Sequence, residues 1–186
     1  MNLFNRKPFV AAVAAVATLA FATLASGATL APEQQAKVDA KLTELKALAT
    51  APEIVSAVKA QNATPSAEVT GMTEEKWKSL PMTDPFVRGL AKNEAANFLK
   101  SKKGEEIAEA FVSDADGRKV GLLAKTSSWS HKGKAKHDKP MAGQTWQGDV
   151  EVDESTGVQQ VQVAVPVMDG DKVVGSLVVG LRISKL

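Results

Sequence analysis

The residues best suited to chemistry lie in one segment, Thr126 to Asp149. It contains both histidines of the chain and two of its three tryptophans, together with several lysines. Glycine and proline interrupt the segment too often for a helix, so we expect a long connecting loop. Aromatic, imidazole and ammonium groups together are typical of a small-molecule site. The residues that we assign to such a ligand site are Trp129, His131, Lys136, Trp146 and Asp149.

Each of these residues also has a purely structural interpretation. The rings of Trp129 and Trp146 could form an aromatic wall for a ligand, or could anchor the loop to a sheet as ordinary core. The lysines, Lys136 among them, could hold a carboxylate, or could simply be solvated. Asp149, at the start of a predicted strand, could pair with an amine. Both interpretations stay open at the level of sequence.

Catalysis, metal binding and cofactor binding are not predicted. His131 and His137 are six residues apart without a cysteine nearby, which fits no common metal-ligand spacing. The serines beside His131 lack a nucleophile elbow and an oxyanion signature, so we predict no catalytic residue and no enzyme. Gly170 and Gly175 precede no helix, which argues against a phosphate-binding loop.

The first 28 residues predict an export signal. Arg6 and Lys7 precede an apolar run from Phe9 to Leu24, which small residues close near Ala28. The run is shorter than the roughly 20 residues that a membrane helix needs. We therefore expect a Sec signal peptide over residues 1–28, cleaved near Ala28, and a periplasmic protein. An uncleaved N-terminal anchor is the alternative.

Composition limits what the remaining chain can be. Residues 29–186 are enough for one domain with its own core. The 23 basic and 21 acidic residues of the whole chain become 21 and 21 once Arg6 and Lys7 are removed, so we expect no nucleic-acid partner. The chain has no cysteine, so packing rather than disulfides must stabilise it.

Residues 29–104 predict helices. Apolar residues recur at helical spacing from Pro32 to about Ala60, and Pro52 should kink or restart the helix. A short helix capped by Thr73 follows, and then a third helix from Asp84 to Gly104.

Residues 105–186 predict five antiparallel strands, with turns at Asp114–Gly117, 153–157 and 169–171. The alternation along Val161–Val167 predicts one buried and one exposed face. The last strand is apolar on both faces, which predicts a central position. The fold class is therefore α+β.

Three passages resemble the extracytoplasmic PAS-like sensor domains called Cache domains. They are the hairpin Phe111-Val112-Ser113-Asp114-x-x-Gly117, the turn Asp153-Glu154-Ser155, and Val165-Pro166-Val167-x-Asp169-Gly170. The resemblance runs from about Ala31 to Ile183. It implies a long N-terminal helix behind a five-stranded antiparallel sheet, and a ligand pocket on the other face under the 126–149 segment.

The resemblance also implies a function. Such domains bind small metabolites, often amino acids or carboxylic acids, so we expect an exported sensor-like domain that binds a small molecule. The passage Ser128–Lys134 carries lysine and histidine where many relatives carry acids, and the chain ends at Leu186, which predicts no output domain of its own. Expected partners are a membrane-bound receptor or kinase and a second copy of the chain. The alternative is a structural or protein-interaction module with a collapsed pocket, which acts through a membrane partner or a homodimer.

Overall fold

The computed structural model describes residues 29–153 and 157–186. The predicted signal peptide, and residues 154–156 of the predicted turn after Asp153, lie outside the described residues. The described chain begins with helices and continues into a sheet, as the α+β prediction requires.

The N-terminal helix restarts at Pro52, as predicted. Helix α1 spans Pro32–Ala49 and helix α2 spans Pro52–Ala63. Proline lacks the N–H that a continuous helix would use and suits the first turn of a new one, so the restart follows from local chemistry. Short helices follow: α3 (Ala67–Thr70), α4 (Glu74–Ser79), α5 (Pro85–Leu90) and α6 (Glu94–Ser101).

The single helix predicted from Asp84 to Gly104 is wrong in one respect, because it is two helices. Asp84 caps α5, as predicted, by accepting a hydrogen bond from the N–H of Phe86. Asn93 caps α6 through the N–H of Ala96 and also donates to the carbonyl of Val120, 2.6 Å away. Asn93, at the break between the two helices, therefore links the start of α6 to the strand that contains Val120.

The five strands form one antiparallel sheet in the order β2-β1-β5-β4-β3. Strand β5 is central, as its apolar sequence predicts. The turns at Gly117 and Gly170 have φ values of 74° and 59°, a region that glycine enters readily. The strands are β1 (Ile107–Ser113), β2 (Lys119–Leu122), β3 (Trp146–Val152), β4 (Gln159–Asp169) and β5 (Lys172–Arg182).

Helices α1 and α2 cover one face of the sheet, which we call the helix face. Their apolar side chains pack against those of β1, β4 and β5 in one continuous core. This arrangement is the one that the resemblance to Cache domains implied. The core includes Val38, Leu45, Ile54 and Val58 from the helices and Val161, Val163, Leu177, Val179 and Leu181 from the strands.

The other face is covered by residues 123–145, which we call the roof, together with side chains of α3, α4 and α5. The prediction that β4 exposes one face is therefore wrong: Gln160, Gln162 and Ala164 are buried beneath the roof. The expectation of an unbroken loop is also wrong, because helix α7 forms within the roof over Ala135–Met141. Gly133 and Gly143, both with positive φ, flank this helix rather than interrupt it.

Candidate functional site

An aromatic cluster attaches one end of the roof to the helical part. The ring of Trp129 lies 5.3 Å from that of Trp77 and 5.5 Å from that of Phe86, measured between ring centroids. The indole N–H of Trp77 donates to the carbonyl of Thr126 at 2.8 Å. The carboxylate of Glu74 accepts hydrogen bonds from the backbone N–H groups of Trp129, at 3.0 Å, and Ser130, at 2.9 Å. Trp129 is only 3% exposed, which is the position of a core residue.

Helix α7 holds the other end of the roof to the sheet. Nδ1 of His137 lies 2.8 Å from Oγ of Ser176 on the central strand, and Nε2 lies 3.4 Å from the carbonyl oxygen of Ala115. Burial lowers the pKa of His137, so the ring is neutral near pH 7. The roof is therefore attached to the helical part at one end and, through α7, to the sheet at the other.

A cavity of about 230 Å³ lies between the roof and the sheet. Its lining brings together carboxylates, an ammonium, an imidazole and hydroxyl groups. The lining residues are Glu109, Phe111, Thr126, Ser127, His131, Lys136, Glu151, Val152, Asp153 and Gln162.

Glu109 carries the buried negative charge of the cavity. It is 4% exposed and accepts hydrogen bonds from the side-chain amides of Gln162, at 2.8 Å, and Gln160, at 3.3 Å. No salt bridge to Glu109 occurs within the described residues. Burial, and then the nearby charge of Asp153, raise the pKa of Glu109.

Strand register explains how the glutamines reach Glu109. Gly180 of the central strand pairs with Glu109 on one side and with Gln162 on the other. Because Gly180 has no side chain, the side-chain amides of Gln160 and Gln162 can reach over the central strand to Glu109. A Cβ atom at Gly180 would lie 2.0 Å from Oε1 of Gln160, so any larger residue would break this polar bridge.

Lys119 lies behind the cavity wall, fully buried. Its Nζ atom is 2.8 Å from Nδ1 of His131 and 4.4 Å from the ring centroid of Phe111. Burial lowers the pKa of Lys119 to about 7, although the charges of Glu109 and Glu74 act in the opposite direction. Burial and then the charge of Lys119 hold the pKa of His131 far below its ordinary range.

Lys136 of α7 reaches the cavity, where its ammonium donates to Oε1 of Gln162. Burial lowers its pKa. The neighbouring lysines point elsewhere: Lys132 pairs with Asp116 at 2.6 Å, and Lys134 donates to Ser128 at 3.0 Å. Lys136 is the one cavity-lining lysine among the described residues.

Two of the five residues that we assigned from the sequence, His131 and Lys136, line the cavity. The other three, Trp129, Trp146 and Asp149, lie outside its lining. Trp129 packs in the aromatic cluster, and the half-buried ring of Trp146 lies against Gly148 beside the same cluster. Asp149 is exposed on the edge strand β3, in a groove beside the start of α1.

Sequence reasoning missed Glu109 and Lys119. Both stand among apolar residues of short strands, and every residue of β1 and β2 is buried. A charged residue within a continuous apolar strand was the available signal, because such a charge needs a compensating partner or a functional reason.

Several solved structures are similar to this chain. The sensor domain of the V. cholerae histidine kinase DctB is 18% identical, with a TM-score of 0.41, over 82% of this chain and 58% of that one. The sensory domain of the Campylobacter jejuni chemoreceptor Tlp3 with isoleucine bound is 13% identical, with a TM-score of 0.40, over 83% and 64%. The ligand-binding domain of the Pseudomonas aeruginosa amino acid chemoreceptor PctC in complex with GABA is 17% identical, with a TM-score of 0.37, over 80% and 62%. The chain thus spans less than two thirds of each.

No protein-family model and no curated protein matches the sequence. No helix within residues 29–153 and 157–186 has the length and apolar character of a membrane span. In this same part of the chain, no three acidic or histidine side chains gather as metal ligands.

Proposed function

We propose that residues 29–186 act as one exported, sensor-like domain that binds a small polar molecule between the sheet and the 126–149 segment. The observation that carries this proposal is the cavity beneath the roof, which is lined by charges of both signs. A collapsed interaction module would have filled that space with apolar side chains. Trp129, the largest candidate to fill it, packs against Trp77 and Phe86 instead.

The size of the cavity favours a small metabolite. At about 30 Å³ per water molecule, 230 Å³ corresponds to roughly seven waters. Pockets for drug-sized ligands are larger, at about 300–1,000 Å³. An amino acid or a small carboxylic acid has the expected size.

The distribution of charge favours an amino acid over a simple acid. Glu109, Glu151 and Asp153 would attract an ammonium group. Lys136 and the ring of His131 would face a carboxylate group. Ligands with both groups would use both parts of the lining.

The proposed role includes export and a partner. We propose a periplasmic location after removal of residues 1–28, and signalling through a membrane-bound receptor or kinase or through a homodimer. Gly133 and Gly143 lie at the two ends of α7, and we propose them as the hinges for a movement of this helix on binding.

Thermal-shift and calorimetric screening of the purified protein tests this proposal. A ligand present at 100 times its dissociation constant should stabilise the folded protein by about 2.7 kcal/mol. We expect a rise with amino acids, and a loss of that rise in Glu109→Gln and Lys136→Met. Asp149→Asn is the matched control, since Asp149 lies outside the cavity lining and should leave binding there unchanged.

The screen can also contradict the proposal. No stabilisation by any amino acid, carboxylate or amine, in a protein that unfolds cooperatively, would favour the interaction module. Binding that survives Glu109→Gln and Lys136→Met but not Asp149→Asn would move the site to the groove beside α1.

A further inference from the structure

We propose that Lys119 is a positioning residue for the cavity: by donating to Nδ1 of His131 it holds the ring with its proton on Nε2, and so makes His131 a hydrogen-bond donor for a carboxylate oxygen of the ligand. This inference rests on the proposed function, and it assigns a role to a buried lysine that does not itself line the cavity. Three features of the described residues support it.

The first feature is the surroundings of Lys119. Its Nζ atom is fully buried, and among residues 29–153 and 157–186 its one hydrogen-bond partner is Nδ1 of His131, at 2.8 Å. The ring of Phe111, 4.4 Å away, offers its negative face but no lone pair of this kind. An ammonium group can only donate hydrogen bonds, so Nδ1 of His131 must accept.

The second feature is the state of the His131 ring. Burial and the charge of Lys119 keep the ring neutral, and a neutral imidazole carries one proton. Because Nδ1 accepts from Lys119, that proton is on Nε2. The ring also lies 4.9 Å from the ring of Phe111, which restricts its orientation. His131 and Phe111 line the cavity, whereas Lys119 stands behind them, so its charge reaches a ligand through the imidazole.

The third feature is the balance of charges around Lys119. Glu109 on β1 and Glu74 on α4 favour its charged form, and Lys134 and Lys136 of the roof oppose it. His137, the other nearby titratable ring, is neutral. With burial added, the pKa of Lys119 is about 7. Protonation of Lys119 should strengthen the Nε2–H bond to an anionic oxygen, and a carboxylate should therefore bind more weakly as the pH rises through 7.

The tautomer can be measured directly by NMR on the full chain labelled with ¹⁵N-histidine. The chain has two histidines, and ring-proton contacts with Phe111 identify His131. We expect an unprotonated Nδ1 and a protonated Nε2 at pH 6, where Lys119 is an ammonium. In Lys119→Met the fraction of the Nε2–H tautomer should fall, and the ring should titrate closer to its ordinary pKa.

Lys132→Met is the matched control, because Lys132 adjoins His131 in sequence but pairs with Asp116. It should leave the tautomer unchanged. A proton on Nδ1 in the wild type, or an unchanged tautomer in Lys119→Met, would overturn the proposal.

Acetate and methylammonium serve as minimal probes of ligand charge. Acetate should shift the Nε2 resonance of His131, with an apparent affinity up to about tenfold higher at pH 6 than at pH 8. Shifts caused by methylammonium but not by acetate would overturn the donor role and keep the proposed function. No shift with either probe, despite the expected tautomer, would overturn the proposed function and with it the ligand role of His131.

Discussion

The two faces of the sheet differ in chemistry although both are buried. The helix face is lined almost wholly by aliphatic side chains of β1, β4 and β5. The roof face carries Glu109, Lys119, Gln160, Gln162 and Ser176 beside the aromatic cluster. Neighbouring residues on one strand, such as Leu177 and Ser176, therefore experience opposite environments.

This difference suggests separate roles for the two faces, one in stability and the other in ligand recognition. Aliphatic burial stabilises the fold at roughly 25 cal/mol per Å² and requires no specific partner. Buried polar groups cost free energy unless each finds a partner, so a polar face is retained where it has a use. We infer that the helix face holds the sheet together while the roof face is adapted to a ligand.

The largest expected effect concerns the attachment of the roof. Trp129→Ala should cost about 4 kcal/mol of unfolding free energy, because it removes a buried ring from contact with Trp77 and Phe86. Trp146→Ala, where the ring is half-buried, should cost less. Urea denaturation measures both. A loss below about 1 kcal/mol for Trp129→Ala would mean that the roof lies loosely on the sheet and that the two faces are not equally part of the core.

The helix face should respond nearly as strongly. Leu177→Ala should cost about 3 kcal/mol, since it leaves a cavity among tightly packed aliphatic groups. Its matched control is Val152→Ala, at an exposed position of the edge strand, which should change stability by less than about 0.5 kcal/mol. Equal losses for the two variants in urea denaturation would contradict the assignment of the helix face as a tightly packed stabilising core.

Lys119, which is buried on the roof face, should make the stability of the protein depend on pH. The pKa of Lys119 falls from 10.5 to about 7 on folding, so between these values the unfolded state binds more protons. Stability should therefore rise with pH by up to about 1.4 kcal/mol per unit, and this contribution is lost as the pH falls to about 7.

In Lys119→Met, the free energy of unfolding should rise less steeply with pH than in the wild type. Denaturation between pH 7.5 and 9.5 isolates the effect, since histidines are neutral in both states there. Parallel slopes for wild type and Lys119→Met would show that the lysine is hydrated or charged in the folded protein.

The smallest effect compares two buried serines that pair directly across β1 and β5, Ser113 and Ser176. Ser176 bonds to His137, whereas the hydroxyl of Ser113 has no hydrogen-bond partner within the described residues. Ser176→Ala should cost about 1 kcal/mol, and Ser113→Ala should be neutral or slightly stabilising. Equal losses in thermal denaturation would indicate a partner for Ser113 such as a bound water.

Local patterns were sufficient for most elements of this fold. Pro52 restarts the helix, Gly117 and Gly170 form the turns, and the apolar last strand is central, because each depends on backbone preferences or burial that nearby residues express. Helix α7 was missed because Gly133 and Gly143 look like interruptions when they are in fact its boundaries.

The site depended on the tertiary structure. His131 and Lys136 could be selected from the sequence because they belong to one unusual segment. Glu109 and Lys119 could not, since their partners Gln162 and His131 come from other elements, and strand register over Gly180 brings Glu109 and Gln162 together. The sequence by itself determined the N-terminal helices, the strands and the apolar face of the sheet, because these follow from local periodicity. Only the tertiary structure decided which buried charges meet, because electrostatic pairing depends on distances of a few ångströms between residues far apart in the chain.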